Sequence, residues 1–141
     1  MIQETKVDRV YVELMNSYRQ PNKELSMLGA CSENPVVFAE YMLGIRLYSW
    51  QVDFIHRILR AINGDTDQRE FLAITSRQIG KSTAVAILSL WIAFFNKYPG
   101  TTGNNSIIGV VSASQDQSRK LLSEVKKLMR MGDNHMKLSY Q

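Results

Sequence analysis

Gly80, Lys81, Ser82 and Thr83 follow one another at the end of a polar turn, and that order has a definite chemistry. Successive backbone N–H groups curling into the start of a helix attract phosphate oxygens, and the helix dipole favours the same anion. In such a turn the Lys81 ammonium reaches the β and γ phosphates, and the Ser82 hydroxyl ligates Mg²⁺. Gly80 lets the backbone approach with no Cβ in the way. The phosphate-loop pattern normally opens with Gly, and that position is Thr75 here, which weakens any GTPase or small-molecule kinase reading. The plain alternative is an exposed turn capped by Ser82, because Gly-Lys-Ser is common by chance.

The neighbouring elements raise the phosphate reading above that alternative. Residues 71–75 form an apolar run of strand length directly before the turn, and residues 81–96 an apolar helix directly after it, the setting the motif needs. Residues 106–112 read as a second strand. Residues 115–131 read as an amphipathic helix with Leu121, Leu122, Val125, Leu128 and Met129 inward and its basic residues outward. Between them, residues 99–105 are a loop rich in Gly, Asn and Thr.

Upstream, residues 5–18 place Val7, Val10, Tyr11, Leu14 and Met15 on one helical face. A short helix over 22–31 follows, then a third with Asn34 as cap and Pro35 in its first turn, stopping near Gly44. Ser49 caps a helix over 50–62, in which Phe54, Ile55, Ile58, Leu59 and Ile62 recur at helical spacing. Two wholly apolar strands alternating with helices predict the α/β class, with a parallel sheet covered by helices on both faces. Two strands are too few for a finished sheet, so the chain is expected to be incomplete.

Ser76, Arg77, Gln78, Ile79, Gly80, Lys81, Ser82 and Thr83 together resemble the variant phosphate loop of the large terminase subunits of tailed viruses, especially the T4-like ones. Phe38-Ala39-Glu40 is similar to that family's helical lead-in, and Trp50-Gln51-Val52-Asp53 to its adenine-recognition motif. The strand over 107–112 and the helix over 118–129 are similar to the segment after the phosphate loop. The likeness covers about residues 34–131 and leaves the first 33 unassigned.

This resemblance implies a P-loop NTPase of the RecA-like (ASCE) type, its parallel sheet flanked by helices and incomplete in this chain. It implies a helical N-terminal region over 1–48 and the first part of the ATPase domain over 49–141. The activity implied is an ATPase that drives double-stranded DNA into an empty capsid, with a nuclease domain further along. ATP and Mg²⁺ are the implied cofactors, held by residues 76–83 with Ser82 on the metal. Arg77 folds back on the γ-phosphate as an arginine finger, or else pairs with a carboxylate. Lys81 is its catalytic companion. Gln51 has an amide suited to the edge of adenine, or is a plain surface residue in a first helical turn. Tyr48 or Trp50 stacks on the base or belongs to the core. Ser112, Ser114 and Gln115 resemble a helicase-like motif that touches DNA or relays nucleotide state. The implied partners are double-stranded DNA, the portal protein, the small terminase subunit and further copies of the chain, in the host cytoplasm at the portal vertex of the capsid. Neither strand ends in the Asp-Glu pair that orients an attacking water, and the acidic cluster of a two-metal nuclease is absent. The chain is therefore expected to hold phosphate weakly and not to turn ATP over efficiently.

Composition narrows the remaining classes. With 141 residues and 45% apolar side chains, the chain has the size and core of one ordered domain. A lone Cys31 forms no internal disulfide. The opening residues lack a secretory pattern, so an intracellular protein is expected. The longest apolar run, 84–95, is shorter than the about 20 residues of a membrane span. Residues 117–141 hold six basic side chains against two acidic ones, which accounts for the whole net charge of +4; a solvated helix face or a phosphate backbone explains such a stripe. Two other readings stand beside the terminase: a helicase-like translocase, and a non-catalytic module whose helices 5–18 and 115–131 dock partners.

Overall fold

The computed structural model describes residues 24–74, 76, 80–96 and 105–139. Among these residues there are five helices: α1 Glu24–Glu33, α2 Pro35–Tyr41, α3 Ser49–Ile62, α4 Lys81–Phe95 and α5 Gln115–Ser139. The helix expected over 5–18 lies outside the described residues, as does most of the loop over 99–105.

Local chemistry accounts for the helix ends. Asn34 adopts an extended conformation and its side chain accepts from Val36 N at 2.9 Å, while Pro35 occupies the first turn of α2, where a missing N–H costs nothing. α3 begins one residue earlier than expected, with Tyr48 rather than Ser49 at the cap position. Gln51 supplies the capping interaction there, its Oε1 accepting from Tyr48 N at 2.8 Å. α4 stops at Asn96, which takes a left-handed conformation at φ 45°. The Asn96 Oδ1 then accepts from Ser106 N at 2.6 Å and from Ser106 Oγ at 3.1 Å, tying the end of α4 to the segment that leads into α5.

α4 is the centre of the fold, packed against α2, α3 and α5, as an almost wholly apolar helix must be. Its Ala84, Ile87 and Trp91 are buried together with Phe38 of α2, Ile55 of α3, Cys31 of α1 and Leu128 of α5. Phe38 meets Phe95 edge-on at 5.7 Å between centroids, a favoured aromatic geometry. The Trp91 indole N–H donates to the Cys31 carbonyl at 2.7 Å. Burial pushes the Cys31 thiol up to about 11, so this residue is packing material and not a nucleophile. α5 lays a seam of Leu121, Val125, Leu128 and Gly132 toward the core. At Gly132 a Cβ would stand 2.9 Å from Leu43 Cδ2 and 3.3 Å from Met42 O, so glycine permits the close approach. Leu122 and Met129, expected inward, are exposed, because each lies one residue, about 100° of helix, around from that seam.

The α/β expectation, a P-loop NTPase sheet flanked by helices, is overturned. Among the described residues there is no strand, and the architecture is helical. Residues 71–74 and 106–112 lie outside both helix and strand. Leu72 is 85% exposed, Ile74 83%, Ile107 88% and Val111 97%, the opposite of strands covered on both faces. An apolar run states hydrophobicity alone, whereas a strand is a pairwise object that exists only with a hydrogen-bonded neighbour.

Glu40 on α2 carries the fold's one orphaned carboxylate oxygen among the described residues, a buried Oε2 with no hydrogen-bond partner. Burial raises its pKa from the ordinary value of 4.5, against the opposing charge of Arg46. The folded chain therefore holds this proton more tightly than the unfolded chain does. The stability linked to that proton is fully present below the unfolded pKa and is lost as pH rises through the folded one. Glu40→Gln is accordingly expected to raise the thermal midpoint at pH 7 and to leave it nearly unchanged at about pH 4, as paired melting curves would register.

Candidate phosphate-binding turn

Gly80 enters α4 in the left-handed conformation, at φ 85° and ψ 26°, which glycine adopts without steric cost. Its carbonyl accepts two donors: Ala84 N at 3.1 Å, which is the first bond of the helix, and Gln51 Nε2 at 2.9 Å. Gly80 has no side-chain oxygen to cap the helix. The amides of Ser82 and Thr83 in the first turn have no carbonyl inside α4 to receive them. That turn also carries no acidic residue, so nothing within it offsets the positive end of the helix dipole.

The expected site residues are not all brought together. Gly80, Lys81 and Ser82 stand together at the start of α4, with Lys81 half-buried and Ser82 exposed. Thr83 follows them, but its hydroxyl donates to Glu124 Oε1 of α5 at 3.3 Å, and Glu124 in turn pairs with Lys127 at 3.9 Å. Ser76 is exposed. Arg77, Gln78 and Ile79, with Thr75, lie outside the described residues.

Gln51 does reach the turn, though not as an open edge. It is 3% exposed, with one end of its amide on Tyr48 N and the other on Gly80 O. Tyr48 is exposed, and Trp50 is half-buried against the core. Ser112 and Ser114 serve the start of α5: Ser112 Oγ donates to Ser114 O at 2.6 Å, and Ser114 O receives Gln117 N at 3.1 Å. Gln115 is the first residue of that helix and is exposed.

The basic face of α5 has the predicted form. Arg119, Lys120, Lys126, Lys127 and Arg130 are all exposed. Arg119 pairs with Asp116 at 3.8 Å within the helix, a contact of little energetic weight at such exposure. Sequence reasoning missed Glu124, whose only signal was being the one acidic residue between Arg119 and Arg130. Among the described residues no group of three or more His, Cys, Asp or Glu side chains could hold a metal ion. Nor is any described helix long and apolar enough to cross a membrane. Comparison with protein-family models, curated proteins and solved structures finds no match for this chain.

Proposed function

We propose that the chain binds the triphosphate of ATP, with Mg²⁺, at the start of α4, and that it does so as the ATPase of a viral terminase large subunit. The observation that carries the phosphate reading is left-handed Gly80 leading into an apolar helix that opens Lys81-Ser82-Thr83 with no acid in its first turn. It uses the helix end alone and requires no sheet. Lys81 would neutralise phosphate charge, the first-turn amides would receive phosphate oxygens, and the Ser82 hydroxyl would offer a lone pair to Mg²⁺. The bound metal supplies charge neutralisation between phosphates. The terminase part of the proposal rests on the likeness of residues 76–83 and 50–53 to that family. Under it, the exposed basic face of α5 tracks double-stranded DNA, and the portal protein, the small subunit and further copies of the chain are the partners at the portal vertex.

Calorimetric titration of the full chain with Mg²⁺-ATP and Mg²⁺-tripolyphosphate tests the site. Saturable binding is expected, with Lys81→Ala weakening both ligands by about tenfold or more, the worth of one charge-assisted contact. Equal binding by wild type and Lys81→Ala would refute the site. The helical architecture of the described residues favours a second reading, a partner-docking module in which the turn is an ordinary helix start. That reading predicts no saturable binding of either ligand.

A further inference from the structure

The Gln51 side chain joins two helix starts, reaching Gly80 across 29 residues of sequence. Its Oε1 holds the N–H of Tyr48 at 2.8 Å, ahead of α3, and its Nε2 donates to the Gly80 carbonyl at 2.9 Å, ahead of α4. A base reader must present its amide edge to solvent, and Gln51 presents 3% of its surface. One acceptor position and one donor position are already committed to the backbone, out of two of each.

The contact to Gly80 is close enough to govern what that position tolerates. A Cβ there would stand 2.6 Å from Gln51 Nε2, so the amide occupies the space that a side chain would need. The hydrogen bond also has a direction. A trans peptide unit is planar, with its C=O and the following N–H pointing opposite ways. Holding the Gly80 carbonyl toward Gln51 therefore turns the Lys81 N–H away from Gln51 and fixes the tilt of the first peptide of α4.

We infer that Gln51 is a positioning residue for the phosphate turn, setting the Gly80–Lys81 peptide plane, and that it does not read the base. This rests on the proposal that the start of α4 binds phosphate. It makes Gln51 indifferent to the nucleobase: the residue tunes affinity for any polyphosphate, and selection of adenine falls to other groups.

The test titrates the full chain, as wild type, Gln51→Leu and Gln51→Glu, with Mg²⁺-ATP, Mg²⁺-GTP and Mg²⁺-tripolyphosphate. Gln51→Leu is expected to weaken all three by the same factor, on the order of fivefold for one lost hydrogen bond, leaving the ATP-to-GTP ratio unchanged. Gln51→Glu keeps an acceptor for Tyr48 N and loses the donor to Gly80, so it should show the same uniform pattern. Nitrogen-edited spectra of the wild type add a readout that needs no substitution. The Gln51 side-chain amide signals should respond alike to tripolyphosphate and to ATP. A loss confined to ATP, or amide signals that move with ATP and ignore tripolyphosphate, would overturn the positioning role while leaving the phosphate site intact. Failure of the wild type to bind tripolyphosphate would instead refute the phosphate site, and the inference would fall with it.

Discussion

Replacing Trp91 by alanine is expected to destabilise the fold by about 3–5 kcal/mol, the range for removing a large aromatic from a packed core. Trp91 is among the largest fully buried side chains of the molecule, and it lies on the helix against which α2, α3 and α5 pack. Its ring stands 6.4 Å from that of Phe95, centroid to centroid. The alanine variant loses that packing, leaves a cavity, and strips the Cys31 carbonyl of the indole N–H that reaches it at 2.7 Å. Trp91→Phe separates the two effects, since it keeps most of the ring volume and removes the donor, for an expected cost of about 1–3 kcal/mol. Urea unfolding would measure both. Trp50, the only other tryptophan, remains as the fluorophore, and circular dichroism gives a second probe. Domains of this size are typically stable by only about 5–15 kcal/mol, so Trp91→Ala should bring the chain near its threshold. A cost under about 0.5 kcal/mol, the range of ordinary surface changes, would mean that α4 is not the centre of the fold.

Gly80→Ala is the second large effect, and the molecule contains its own control. Gly80 and Gly64 have nearly the same left-handed backbone, at φ 85° and φ 82°. They differ in surroundings: a Cβ at Gly64 meets nothing within 4 Å, whereas one at Gly80 meets Gln51 Nε2 at 2.6 Å. Gly64→Ala should therefore cost the conformational penalty alone, about 1–2 kcal/mol. Gly80→Ala should cost that and about 1 kcal/mol more for the displaced hydrogen bond. Chemical denaturation of the two variants side by side yields the difference directly. Equal destabilisation would show that the Gln51 contact has no weight in the fold. Gly80→Ala is also expected to weaken tripolyphosphate binding, while Gly64→Ala is not.

Much of the helical framework was legible in the residues because its signals are local. Asn34 followed by Pro35 names a helix start through a side-chain acceptor and a fixed φ, and α2 begins there. The apolar stretch after Gly80 was too long for a strand and too uniformly apolar for a surface helix, and it is the buried α4. What went unread depends on partners. The runs over 71–75 and 106–112 carry the composition of strands, yet nothing in a composition supplies the neighbour that a ladder requires. Leu122 and Met129 belong to the apolar side of α5 on any helical projection, but the seam that meets α4 is narrower than that side. Gln51 stands out in the sequence for its amide chemistry, but its link to Gly80 is not visible there, because it spans 29 residues and depends on the packing of α3 against α4.

The 25 residues of α5 make a rod about 37 Å long at 1.5 Å per residue. Midway along, Glu124 reaches Thr83 beside the phosphate turn. Two turns further on, Gly132 lies against Met42 and Leu43. One continuous helix therefore borders both the phosphate turn and the turn at Met42 and Leu43, held against the core by Leu121, Val125 and Leu128.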